Sequence, residues 1–333
     1  MSSFACLVVN KSADGAFSLE VTSRPITDLP PGDVTVRVHY SSLNYKDGLS
    51  TRGHPGVTRK FPHVPGIDAV GEVIESRTNR WQRGDQVIVT GHDLGMNTWG
   101  GFGELIRVPE SWPIGLPAGL SMREAMIYGT AGFTAAQCVS AIVERGVKPD
   151  DGDVVVTGST GGVGSVAVAL LAKLGYSVVA VTGKPSGHDY LRTLGAARIV
   201  DRAEVNDTSG KPLLGERWSA AVDTVGGNTL ATLIRSARRN GVITACGLVG
   251  GHELPLTVYP FILRGVSLVG IDSVECPHTE RERIWSLLAG DWRPTTLATI
   301  ATEEVALPEL PASIERILRG DCLGRVVVRH AVS

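Results

Sequence analysis

Up to about residue 120, apolar positions come in short β-branched runs broken by Gly, Pro and Asp. DVTVRVHY (33–40), DAVGEVI (68–74), DQVIVTG (85–91) and GELIRV (103–108) are separated by turn-forming residues. Strands at this spacing predict an irregular barrel or sandwich. The pattern changes after Ser121, which with Glu124 three residues on has the form of a capping box; the helix it opens runs toward Val143. Strands at 153–158, 176–181, 198–200, 219–223 and 241–246 then alternate with helices at about 162–174, 187–194 and 228–239. Near-continuous apolar strands alternating with helices predict a parallel sheet covered on both faces. A strand at 265–274 and an amphipathic helix at 279–290 follow, and the chain ends in the apolar run LGRVVVRHAVS. No helix follows that run, so the terminal strand rejoins the N-terminal β-rich part. The expected architecture is a nucleotide-type α/β domain inserted within a β domain.

Two stretches, 125–143 and 154–172, carry no charge and are long enough to cross a bilayer. The first holds Gly129, Thr130, Gly132, Thr134 and Gln137, and the second has TGSTGGVGS at its centre. Turn and polar residues at those places predict buried elements of an α/β domain and no membrane partner.

Composition narrows the function classes. The 333 residues suit two domains, and 43% apolar residues can fill a core in each. Lys and Arg total 32 against 34 Asp and Glu, so no basic excess is available for a polyphosphate backbone and nucleic acid is excluded as a partner. Cys6, Cys138, Cys246, Cys276 and Cys322 stand far apart with no C-x-x-C pair. They read as reduced thiols of a cytoplasmic protein, and the N-terminal stretch is too short to be an export signal.

The densest chemistry lies at the first α/β junction. The strand Asp153-Val-Val-Val-Thr-Gly158 runs directly into Gly158-Ser-Thr-Gly161-Gly162-Val-Gly164, which opens a helix with Val166, Leu170 and Leu174 on its apolar face. Glycines there let the backbone turn sharply and bring N–H groups against a pyrophosphate, and the helix N-terminus favours negative charge. The next strand, YSVVAV (176–181), ends in Thr182-Gly183-Lys184 where an NAD site places an acidic residue. Small polar groups, Lys184 and, after the third strand, Arg202 suit a 2′-phosphate, so NADPH is the expected cofactor.

Several further stretches stand in a fixed order: Ser41-Ser-Leu-Asn-Tyr-Lys-Asp47, Pro65-Gly-Ile-Asp68, Gly129-Thr-Ala-Gly-Phe-Thr134, Asp223-Thr-Val-Gly226, Ala245-Cys-Gly-Leu248, Pro260-Phe-Ile-Leu-Arg264 and Gly270-Ile-Asp-Ser-Val274. Together with the glycine turn they resemble the zinc-independent medium-chain dehydrogenase/reductases of the quinone oxidoreductase branch, and among them the YhdH/AcuI-type NADPH-dependent acrylyl-CoA reductases. The resemblance implies a GroES-like β-rich catalytic domain over 1–124 and 300–333 and a Rossmann domain, a doubly wound parallel sheet binding NADPH, over 125–299. It further implies cofactor contacts from Tyr45, Thr134, the turn Thr160, Gly161, Gly162 and Val163, then Thr182, Gly183, Lys184, Arg202, Leu248, Ile262 and Ser273. Zinc alcohol dehydrogenases of the superfamily carry a cysteine ligand near the place of Asn44 and a four-cysteine lobe; neither occurs here, so no metal is expected.

Reducing an α,β-unsaturated thioester puts growing negative charge on the carbonyl oxygen, which must meet a donor placed in advance. Asn44, Tyr45 and Lys46 are the candidates, although Asn44 also reads as a turn residue and Lys46 with Asp47 as a surface ion pair. His54, His63, His92 and His278 read as surface or turn residues, and Cys246 as a small buried thiol without a nucleophilic role. Arg52, Arg59, Lys60 and Arg264 are the candidate cations for a coenzyme A ester. Reduction of acrylyl-CoA to propionyl-CoA is thus the first expectation. Reduction of quinones or enals and a non-catalytic, redox-sensing NADPH binder are the alternatives. The apolar strand 265–274 predicts a homodimer edge.

Overall fold

A computed structural model of the chain describes residues 3–331. In chain order it forms β1 (Ser3–Lys11), β2 (Phe17–Pro25), β3 (Val34–Ser42), α1 (Tyr45–Thr51), β4 (Asp68–Ser76), β5 (Gln86–Thr90), β6 (Leu105–Val108) and β7 (Ile114–Gly115). Next come α2 (Met122–Glu144), β8 (Val154–Val156), α3 (Gly162–Lys173), β9 (Val178–Val181), α4 (His188–Thr193), β10 (Arg198–Val200), β11 (Trp218–Asp223), α5 (Gly227–Arg235) and β12 (Ala237–Ala245). The chain closes with α6 (Tyr259–Arg264), β13 (Ser267–Gly270), α7 (His278–Ala289), α8 (Leu297–Ile300), β14 (Ala301–Ala306), α9 (Leu310–Leu318) and β15 (Arg325–Arg329).

Two compact units result. The first takes the residues up to Thr130, Val274–Ala289 and those from Ala301 on. Its seven-stranded sheet has the order β14-β15-β3-β4-β5-β7, with β6 also paired to β3, and β1 and β2 form a separate antiparallel pair. Alternation along β3 turns Val34, Val36 and Val38 into a core shared with Val73, Val87, Val89 and Ile106. The terminal strand rejoins this sheet as expected: β15 pairs antiparallel with β3, and Val326 and Val328 pack with Leu7, Leu43 and Ile314.

Residues 274–289 differ from the expected boundary, since they cluster with the first unit although they fall within 125–299. Arg281 of α7 is fully buried and donates to Thr90 Oγ1 (3.2 Å) and Val274 O (3.1 Å), and Trp285 meets the Tyr128 ring edge-on at 6.4 Å. Burying that guanidinium requires acceptors, and β5 and the segment ahead of α7 supply them.

The second unit takes Ala131–Ser273 and Gly290–Ile300. Its six strands lie in the order β10-β9-β8-β11-β12-β13, and every pair is parallel. This is the doubly wound order with the switch point beside β8, so the carboxyl ends of β8 and β11 flank the expected ligand crevice. The β8, β9 and β11 residues are all buried, which explains the unbroken apolar sequences of β8 and β9, while β11 carries Ser219 and Asp223 toward its two ends.

Local differences have local causes. The helix expected over 228–239 ends at Arg235, because from Ala237 the chain is already paired with Trp218 as β12 of the sheet. The capping box at Ser121 forms, with Glu124 N donating to Ser121 Oγ at 3.2 Å and Ser121 N to Glu124 Oε2 at 3.0 Å. The helix it opens is not continuous: Gly129 interrupts α2 at φ 51° and ψ −156°. α2 is the one helix among the described residues long and apolar enough to span a bilayer, and it is mostly buried inside the protein.

Candidate active site

The first unit gathers buried polar groups where β3 gives way to α1. Asp68, at the start of β4, is fully buried. Its carboxylate accepts from Ser42 Oγ (2.5 Å), Asn44 Nδ2 (2.8 Å), Thr130 N (2.8 Å), Thr130 Oγ1 (2.6 Å) and Arg325 Nη2 (3.4 Å). Arg325, also buried, donates in addition to Leu43 O (3.1 Å), Asn44 Oδ1 (3.0 Å), Ser42 Oγ (2.7 Å) and Ile127 O (3.3 Å). A buried ion pair is tolerated when its remaining polar atoms are satisfied, as they are here.

The break in α2 belongs to this cluster. A Cβ on Gly129 would lie 2.3 Å from Asp68 Oδ2 and 2.4 Å from Ser42 Oγ, so only glycine lets the helix approach the carboxylate. The interruption turns the Thr130 N–H out of the helical ladder and onto Asp68.

These contacts revise the expected donors. Asn44 spends both amide hydrogens, on Ser42 O (3.1 Å) and Asp68 Oδ2, and its Oδ1 accepts from Arg325, so it has none left for a substrate. Asp47 is no surface partner for Lys46. It is fully buried and accepts the N–H groups of Asn44 (2.8 Å), Gly66 (3.2 Å) and Ile67 (2.9 Å), which caps α1. Burial first, and the neighbouring Asp68 second, push its carboxyl up to about 7. Tyr45 opens α1 and is 44% exposed as a residue. Lys46 makes no ion pair among the described residues.

The donor set does not fit zinc. Asn44 offers an amide in place of a ligating thiolate, and the Arg325 guanidinium already supplies the positive charge against Asp68. Among the described residues no three His, Cys, Asp or Glu side chains gather to hold a metal ion.

The second unit carries the glycine turn. Gly158 has φ +56°, Gly161 is the N-cap of α3, and a Cβ on Gly164 would lie 2.3 Å from Gly158 O. The first helical bond runs from Ser165 N to Gly161 O at 2.9 Å, so the N–H groups of Gly162, Val163 and Gly164 have no intrahelical acceptor and can cradle a phosphate. Ser159 locks the turn to β9 by donating to Val156 O (2.6 Å) and accepting from Val181 N (2.8 Å). At the end of β11, Asp223 accepts from Thr157 Oγ1 and Gly226 N, both at 2.7 Å, and burial pushes its carboxyl up.

Beyond β9 the expected 2′-phosphate residues come together. Thr182 Oγ1 accepts from Lys184 N at 3.1 Å, and a Cβ on Gly183 would lie 2.8 Å from Arg202 Nε. The Arg202 guanidinium therefore lies directly over Gly183, and the sequence Thr182-Gly183-Lys184 after β9 carries no carboxylate. These groups fit a phosphorylated dinucleotide. Thr134 and Thr160 are buried, Leu248 follows β12 at 66% exposure, Ile262 on α6 is 67% exposed, and Ser273 is half-buried after β13.

Three further expectations change or stand by geometry. His63 is not a surface residue: it is buried, with Nε2 bonded to Gly95 O at 2.9 Å, and His92 stacks on Trp112 at 5.1 Å. Cys246 follows β12 with Sγ donating to Asp223 O at 3.4 Å, and Cys138 together with burial pushes its thiol up, which leaves a poor nucleophile. Of the candidate cations, Arg52 is paired with Glu315 (2.6 Å), and Arg264 turns inward onto Leu214 O (2.6 Å), Arg235 O and Ala237 O.

Sequence reasoning missed Arg325 altogether. A charged residue opening the apolar run of a terminal strand was its only signal.

Comparison with known proteins agrees with this construction. Residues 30–118 match the alcohol dehydrogenase GroES-like domain, and residues 162–290 match the zinc-binding dehydrogenase family. The acrylyl-CoA reductase AcuI of Ruegeria pomeroyi is 47% identical over 98% of both chains. The yhdH oxidoreductase of Salmonella enterica, crystallised with NADP, superposes with a TM-score of 0.94 at 46% identity, covering 98% of this chain and 99% of that one. Bacillus subtilis yhfP, crystallised with NAD, gives 0.96 at 45% identity over 99% and 100% of the two chains. Its sequence carries the name putative quinone oxidoreductase. With a GroES-like unit, a parallel sheet opening on a phosphate-binding turn and relatives similar from end to end, the chain belongs to the medium-chain dehydrogenase/reductase superfamily, as an oxidoreductase of the group that holds AcuI, YhdH and YhfP.

Proposed function

We propose that the protein is an NADPH-dependent reductase that converts acrylyl-CoA, a short enoyl thioester, to propionyl-CoA without a metal ion. The observation that carries this reading is the 47% identity to an acrylyl-CoA reductase over 98% of both chains. The N–H groups of Gly162, Val163 and Gly164 hold the pyrophosphate, and Thr182, Lys184 and Arg202 hold the 2′-phosphate. The absence of a carboxylate after β9 favours NADPH over NADH. A bound dihydronicotinamide supplies the hydride for the β-carbon.

The chain's own task is to stabilise charge on the thioester oxygen and to return a proton to the α-carbon. Tyr45 Oη and Lys46 Nζ are the donors for that oxygen, since Asn44 is fully committed. Asn44, Asp68 and Arg325 act by fixing the first turn of α1, from which Tyr45 and Lys46 project. The unpaired edge of β13, with Leu268 exposed and the apolar Tyr259 and Leu263 of α6 nearby in sequence, supports a homodimer. Five free cysteines support a reducing, cytoplasmic setting.

The test is NADPH oxidation with acrylyl-CoA, a free enal and a quinone at equal concentration. Acrylyl-CoA is expected to give the highest kcat/KM. A quinone turned over more efficiently than the thioester would replace this reading with the quinone one.

A further inference from the structure

The first unit contains a polar groove of about 590 Å³ lined by Asn10, Lys11, Ser12, Arg59, Lys60, Phe61 and Pro62. Its two walls, the end of β1 and the segment after α1, are stitched together by Val9 N to His63 O (2.7 Å) and His63 N to Val9 O (3.0 Å). The groove is therefore built into the fold.

Its charge is what needs an explanation. Lys11, Arg59 and Lys60 all line it, and none forms an ion pair among the described residues. Arg59 is held in place, with Nε donating to Pro55 O at 2.9 Å and its backbone N to Asn97 Oδ1 at 3.4 Å, yet its two terminal nitrogens bond to no described protein atom. Asp14, the nearby carboxylate, is turned into the β1–β2 hairpin, where Ser12 Oγ and Ala16 N donate to it. Three like charges gathered without a counter-charge repel one another, and an anion relieves that. An aromatic wall adjoins them: Phe61 meets Phe17 edge-on at 5.0 Å, and Lys11 Nζ stands 5.6 Å above the Phe17 ring. Three cations beside an aromatic ring match a ligand with several phosphates and a purine base.

Position decides which such ligand. A Cβ on Gly53 would lie 2.0 Å from Phe17 Cζ, so the Phe17 ring covers the turn that ends α1. The groove thus lies at the far end of the helix whose first residue is Tyr45, and seven residues of helix span about 10 Å. A pantetheine arm is longer than that. We propose that this groove binds the 3′-phospho-ADP portion of the coenzyme A thioester, with Lys11, Arg59 and Lys60 on the phosphates and the adenine against Phe61. The proposal rests on the acrylyl-CoA reading and assigns the substrate's nucleotide end. Arg52 and Arg264, already committed to Glu315 and to backbone carbonyls, have no part in it.

The test replaces Lys11, Arg59 and Lys60 by alanine, singly and together, and compares acrylyl-CoA with acrylyl-pantetheine, which stops short of the nucleotide. In the triple variant the KM for acrylyl-CoA is expected to rise at least tenfold with kcat within twofold of wild type. The KM values for acrylyl-pantetheine and NADPH are expected to stay unchanged. An unchanged KM for acrylyl-CoA in an enzyme that reduces it overturns the groove and leaves the function standing. A rise confined to NADPH assigns the groove to the dinucleotide's own phosphate and also overturns it. If the wild type does not reduce acrylyl-CoA, the functional reading fails first, and calorimetry with free coenzyme A and dephospho-coenzyme A judges the groove alone. Binding that weakens on loss of the 3′-phosphate and in the triple variant supports it, and absence of binding overturns it.

Discussion

Replacing Gly129 by alanine perturbs the break in α2 and the Asp68 carboxylate at once. The backbone there, at φ 51° and ψ −156°, lies in a region that an L-residue enters only at about 1–3 kcal/mol. The added methyl would stand 2.3 Å from Asp68 Oδ2 and 2.4 Å from Ser42 Oγ, so a buried group must shift, at a further cost of about 1–3 kcal/mol. If the carboxylate is the group that moves, it loses some of its bonds from Thr130, each about 1.5–3 kcal/mol when the acceptor is charged. The expected loss is on the order of 5 kcal/mol, a large share of the roughly 5–15 kcal/mol that stabilises a domain. Urea unfolding followed by far-ultraviolet circular dichroism measures it. Gly115→Ala is the control, because its Cβ would meet nothing within 4 Å and its φ is ordinary; its stability should change by less than about 1 kcal/mol. Equal unfolding midpoints for the two variants would refute the account of Gly129.

Four other outcomes are expected. Lys184→Ala and Arg202→Ala should each weaken NADPH by about 1–3 kcal/mol and leave NADH unchanged in fluorescence titration; equal losses for both cofactors would remove the 2′-phosphate assignment. Tyr45→Phe should lower kcat by about two orders of magnitude with the melting temperature unmoved, and wild-type turnover would end its donor role. Burial holds the His330 imidazole down at about 4, so the unfolded chain takes up a proton that the folded one refuses as pH falls below 6.5. Stability is therefore full above pH 6.5 and declines toward pH 4, by about 2 kcal/mol at pH 5, and His330→Gln should flatten that slope in urea titrations. Leu268→Glu should give a monomer by light scattering where the unaltered protein gives a dimer; an unaltered protein that is itself monomeric removes the proposed interface.

Legibility followed the range of the interactions. The parallel sheet could be read because VVV at 154–156 and VVAV at 178–181 are buried on both faces and must be continuously apolar. The glycine turn could be read because its function requires small residues at fixed positions in one short segment. The hairpin of β1 and β2, together with β14 and α9, gave no such local signal and is held by contacts distant in sequence. The same holds for the active site. Asn44, Tyr45 and Lys46 were visible as a polar run, but the commitment of Asn44 depends on Asp68 and Arg325, which lie 24 and 281 positions away. The interruption at Gly129 was invisible because glycine is tolerated inside helices, and only the neighbouring carboxylate requires it.

The distance between Asp68 and Arg325, 257 residues, also sets an order of events during synthesis. At about 5–20 residues per second, the ribosome delivers the guanidinium on the order of ten seconds to a minute after the carboxylate it neutralises. The whole parallel sheet, complete at Gly270, emerges within that interval. The glycine turn and its sheet are therefore made before the β3–α1 corner has its counter-charge. A chain that stops before Arg325 would leave Asp68 without that cation. An unbalanced carboxylate at that corner is a physical mark that tells an unfinished chain from a finished one.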